Sequence, residues 1–146
     1  MTKEEILKMQ SGREMDALVA EKVMKFYVEW HWCKQDPECG DWYPVEYKSK
    51  EQIEKERKNN WYKPEKHPCL RFEDPQTHEF RAWEVVDFYS TSISAAWEVW
   101  EKIKEDKKLW GNFLRALFDV TDNAVLYRLN PEIICRAALL AVMEDK

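Results

Sequence analysis

Three glycines in 146 residues leave this chain almost no material for loops that cradle phosphate through backbone amides. Long apolar runs are also missing. The longest, Ala137 to Met143, falls far short of the roughly 20 residues that a membrane span needs. The N-terminus, MTKEEILKMQ, mixes charges of both signs and has no apolar h-region, so neither a secretory signal nor a transit peptide is expected. An excess of positive charge is absent too. The formal net charge is -5 and basic residues alternate with acidic ones, which excludes the electrostatic footprint of a duplex-DNA binder. Cys-x-x-Cys pairs, a zincin helix, a zinc-deaminase signature and a nucleophile elbow are all lacking. The residues therefore read as a binder rather than an enzyme.

What is present is tryptophan: eight in a chain with 45% apolar and 35% charged residues, a composition that folds. The length is that of one domain, 1–146. Cys33, Cys39, Cys69 and Cys135 are even in number, yet without an export signal a reducing compartment makes thiols the expectation.

Along the chain, Ile6, Met9, Leu18, Val19, Val23 and Met24 follow helical spacing, with Gly12 placed to split a short lead from a main helix. Residues 25–32 (KFYVEWHW) alternate as a half-buried strand, with Phe26, Val28 and Trp30 on one face. From about 34 to 80 comes an elaborated insertion holding five of the six prolines. Inside it, 48–60 predicts a surface helix capped by Ser49. Residues 80–88 read as a strand buried on both faces. Ser92 caps a helix whose stripe is Ile93, Ala96, Trp97, Trp100 and Ile103, with Trp97 and Trp100 expected in the core. The runs 113–120 and 124–129, parted by Thr121-Asp122-Asn123, read as a strand pair. Asn130 and Pro131 then open a last helix. The fold class is α/β in the α+β sense: a small antiparallel or mixed sheet of about four strands covered by helices, an α-β-α sandwich.

Three blocks, GREMDALVAEKVM (12–24), YSTSISAAWEVWEKI (89–103) and PEIICRAALLAVM (131–143), together resemble the phage ABA-sandwich family of small phage and prophage proteins. Two departures stand out. The link before the YST motif is short in that family and long here, and Ser92 stands where Asp is commoner. The resemblance implies a phage protein in the cytoplasm of an infected bacterium. It also implies a role in sequestering a nucleotide-derived immune signal of the cyclic ADP-ribose type, and so blunting host defence.

The residues supply matching candidates. Flat rings sandwich bases and guanidinium forks hold phosphate. Trp30, Trp32, Trp42, Tyr43, Trp61, Trp83 and Tyr89 with Arg71 and Arg81 thus form a candidate ligand set. The plainer alternative is that these rings anchor loops and core. Ser90, Thr91 and Ser92 at a helix start add donors for a phosphate, beside the simple alternative of capping. Two His-x-Cys pairs, His31/Cys33 and His67/Cys69, with Cys39 nearby, carry ligand chemistry suited to zinc, although the spacing matches no common zinc signature. Cys135 reads as a small buried hydrophobe. Expected partners are a small nucleotide-like ligand and further copies of the chain, which would complete a pocket at a symmetric interface. No cofactor, membrane or duplex nucleic acid is expected. Two other functions stay open: a protein-interaction module using exposed Trp and Tyr anchors, and a nucleotide-cleaving enzyme.

Overall fold

The computed structural model describes residues 1–59, 63–120 and 129–144. Six helices and four strands occur among them, an α+β architecture, and the chain divides into two compact units. One unit is helical, made of Met1–Phe26 and Asp87–Lys146. The other, Tyr27–Val86, holds the sheet and contains the whole expected insertion.

In the helical unit, α1 (Lys3–Lys8) begins with a capping box: Thr2 Oγ1 accepts the Glu5 amide at 3.2 Å and the Glu5 carboxylate accepts the Thr2 amide at 2.6 Å. Gly12 then parts α1 from α2 (Arg13–Leu18), as its position predicts. Its φ of 154° with ψ of -171° lies in a region essentially reserved for glycine. The helix widens into a π-helical segment, Val19–Val23, and the chain leaves it through Lys25 at φ 63°. Ser92 caps α4 (Ile93–Lys104) by accepting the Ala95 amide. Asp106 caps α5 (Lys107–Val120) by accepting the amides of Lys108 and Leu109. Asn130 Oδ1 accepts the Ile133 amide at the start of α6 (Pro131–Glu144).

The core of this unit is aliphatic and aromatic: Ile6, Met15, Val19, Val99, Ile103, Phe113 and Ile134 are almost wholly buried. Trp100, Trp110 and Phe113 meet in edge and stacked contacts at 5.2–5.6 Å. Two expectations are corrected here. Residues 113–120 belong to α5, because Leu109, Trp110, Phe113, Ala116 and Leu117 recur at helical spacing once Asp106 has started the helix. Trp97 lies 43% exposed beside Trp100 rather than in the core. The expected strand 124–129 lies mostly outside the described residues.

In the sheet unit, β1 (Val28–Gln35), β2 (Trp42–Pro44), β3 (Glu65–Glu73) and β4 (Phe80–Val85) form an antiparallel sheet in the order β2-β1-β3-β4. The sheet thus has the expected number of strands but takes two of them, β2 and β3, from the insertion. Strand β4 is an edge with mostly exposed side chains, not one buried on both faces. Helix α3 (Lys50–Asn59) follows Ser49, whose hydroxyl accepts the Gln52 amide. Among the described residues no helix is long and apolar enough to cross a membrane.

Candidate functional site

Register and alternation sort the candidate side chains of the sheet unit onto two faces. The pairs Trp32 to Lys66, Trp30 to Pro68 and Lys34 to Tyr43 fix one face, which carries Trp30, Trp32 and Tyr43. On it Trp30 and Trp32 stand two residues apart, a backbone rise of about 7 Å along β1. Trp30 is 43% and Tyr43 46% exposed. The Trp32 ring has two cations near it, Lys66 Nζ at 5.5 Å and the Arg57 guanidinium at 5.9 Å, with Tyr47 edge-on at 6.5 Å. Helix α3 is tied to this face by Glu56, which accepts from Lys34 at 2.9 Å and from the Tyr47 hydroxyl at 2.6 Å. The Lys34 and Tyr47 hydrogen bonds hold the Glu56 carboxyl below the usual glutamate range. Burial and then the same contact push the Tyr47 phenol up. Among the described residues, Arg57 and Lys66 have no carboxylate partner, so two positive groups flank an accessible aromatic strip. Sequence reasoning missed both cations. A charged helix and an exposed strand position give no sign of the ring they will face.

The opposite face carries Trp42, Trp83 and Arg71 together with His31, Cys33, His67 and Cys69. The Trp42 ring lies tilted against His67 at 4.4 Å and the Trp83 ring against His31 at 4.5 Å. Arg71 pairs with Glu73 at 2.9 Å and lies over Phe80. Arg81 binds Asp74 in the turn before β4, and the Thr77 and Gln76 amides, followed by that Arg81 bond, hold the Asp74 carboxyl below the usual aspartate range. The sequence-derived ligand set is therefore divided: Trp30, Trp32 and Tyr43 share one face, Trp42, Trp83 and Arg71 the other, and Arg81 serves a turn. Trp61 lies outside the described residues.

The YST turn belongs to the helical unit. Its Ser90 amide donates to Asp16 Oδ1 at 2.7 Å, and Asp16 Oδ2 accepts from Arg13 at 2.6 Å. The Ser90 hydroxyl accepts the Gly12 amide at 2.9 Å and donates to the Gly12 carbonyl. The amides of Thr91 and Ser92 both donate to the Phe88 carbonyl, and the Ser92 hydroxyl caps α4. A carboxylate of the chain itself thus takes the Ser90 amide, one of the donors in this turn. Tyr89 is buried, and burial with the nearby Asp87, Glu98 and Asp16 carboxylates pushes its phenol up. An open hollow of about 490 Å³ lies over Met9, Gly12 and Arg13, and none of the sequence-derived ligand candidates lines it.

None of the four cysteines forms a disulfide; Cys39 is exposed in the turn from β1 to β2, and Cys135 is buried in α6, where burial pushes its thiol up. Among the described residues no three His, Cys, Asp or Glu side chains stand where they could hold a metal ion together. No family model, no curated protein and no solved structure matches the chain.

Proposed function

We propose that this chain is a non-catalytic binder of a small anionic nucleotide-derived molecule, taken up on the Trp30/Trp32 face of the sheet. The carrying observation is the aromatic strip of Trp30, Trp32 and Tyr43 with Lys66 and Arg57 beside it. A base stacks on a half-exposed ring such as Trp30, while the two cations meet its phosphates. Sequestration needs only affinity and enough protein, not a reaction. In the phage setting that the family resemblance suggests, the captured molecule is a host immune signal of the cyclic ADP-ribose type.

The test is titration of the protein with cyclic and linear ADP-ribose-type nucleotides, read by tryptophan fluorescence, followed by heating and mass analysis of what is released. Intact ligand is expected. Stacking on a protein ring contributes about 1–3 kcal/mol per base, so Trp30→Ala should weaken binding about tenfold. Lys66→Glu should weaken it too, whereas Arg81→Ala should not. A chemically altered ligand would identify an enzyme, and equal affinity of Trp30→Ala and wild type would remove this face from consideration. A second reading, a protein-interaction module, draws on Tyr27 and Phe80, exposed around Trp83 at 6.4 and 5.7 Å in the manner of interface anchors. It gains if no nucleotide binds.

A further inference from the structure

The buried residues described in Tyr27–Val86 are Cys33, Pro64, His67, Pro68, Cys69 and Val86. No leucine, isoleucine, phenylalanine or methionine is among them. A unit of this size with so little buried hydrocarbon is of the kind that needs a staple, and three of those six residues, Cys33, His67 and Cys69, carry groups that ligate soft metals.

Their arrangement is paired. His31 stands directly opposite His67 across the β1–β3 ladder, and Cys33 and Cys69 follow each of them at i+2, so all four belong to one face of the sheet. The two sulfurs lie 3.8 Å apart with neither residue exposed. Sulfurs sharing one tetrahedral zinc, each about 2.3 Å from the ion, stand about 3.8 Å apart. His31 Nε2 is buried and, among the described residues, has no hydrogen-bond partner, an arrangement that buried polar atoms rarely keep without a reason.

We propose that Cys33 and Cys69, completed by the imidazoles of His31 and His67, form a binding site for a single soft divalent cation of the zinc class that staples the sheet unit. In the structure as it stands each imidazole rests on a tryptophan, His31 on Trp83 and His67 on Trp42, and the four groups do not converge. Binding therefore turns the imidazoles off those rings toward the sulfur pair. Each thiol gives up its proton to solvent as its sulfur bonds the cation, two protons for one ion, so uptake weakens as pH falls.

Cobalt(II) is the first probe. Added to the reduced, metal-stripped full chain, it should give one equivalent of tetrahedral, thiolate-bound absorbance that zinc displaces. Cys33→Ser and Cys69→Ser should each weaken cobalt binding by more than the about 10–100-fold that loss of an outer partner costs a metal site. Cys39→Ser and Cys135→Ser should leave it intact, and His31→Ala should change the coordination spectrum while some sulfur binding persists. Because the cysteine variants could fail to fold, the wild type carries a second measurement: zinc should protect Cys33 and Cys69, and not Cys39, from alkylation. Three results would overturn the site: no cobalt absorbance, alkylation indifferent to zinc, or a Cys33–Cys69 disulfide in freshly purified protein.

Discussion

Among the described residues, Asp16 is the one buried carboxylate. Its side chain is wholly buried, accepts from the Ser90 amide and the Arg13 guanidinium, and so joins α2 to the YST turn. Asp16→Ala would leave the Ser90 amide without this acceptor and take the carboxylate away from a largely buried guanidinium. Breaking such a pair costs about 3–5 kcal/mol, which urea unfolding should read as a loss of that order. Glu98 behaves oppositely. Desolvation first, then the charge and hydrogen bond of Asp87, raise its carboxyl above the usual glutamate range. A carboxyl raised in the folded state opposes folding while it is ionised, and the opposition is relieved as pH falls through the raised value. Glu98→Gln should therefore raise the thermal midpoint slightly at neutral pH, and the gain should vanish in mild acid. An unchanged midpoint at both pH values would show that the two carboxylates do not oppose each other.

Among the elements, the α1–α2 junction depends on one backbone conformation. Gly12 has no heavy atom within 4 Å of the place a Cβ would occupy, so the obstacle to Ala there is conformational and not steric crowding. Gly12→Ala should lower unfolding free energy by about 1–3 kcal/mol, measured by chemical denaturation. The split at Gly12, the Ser92 cap and the Asn130 cap were all legible in the sequence, because each is set by one residue's local chemistry. The boundary of β1 was legible only to within three residues at each end, since the alternation read over 25–32 starts three residues before Val28 and stops three before Gln35. Helix α5 was not legible from FLRALFDV, which is too short to separate the two periods; its cap at Asp106 lay outside the run considered. Strand β3 was hidden by Pro64 and Pro68, since a proline removes a ladder donor and argues against an interior strand. The Pro68 carbonyl nevertheless accepts from Val86.

Across the whole molecule, the two units differ in what fills them. The helical unit buries Ile6, Met15, Val19, Val99, Ile103, Phe113, Leu117 and Ile134, whereas the described part of the sheet unit buries thiols, one imidazole, prolines and one valine. Amide hydrogen exchange of the metal-stripped protein should be fastest among the paired strands and slowest in α4 and α6, since local opening follows the amount of buried apolar contact. Equal protection in both would refute that difference. The candidate ligand residues were legible as a composition but not as a site. Alternation assigns each ring to a face only when the strand register is known, and the register came from strands that the prolines concealed. One further property follows from the connectivity. The sheet unit is a single uninterrupted stretch, Tyr27 to Val86, entered once and left once by the helical chain. The face proposed for binding thus lies in one cassette: exchanging that single segment should change what is bound there without touching a residue that fills the helical core.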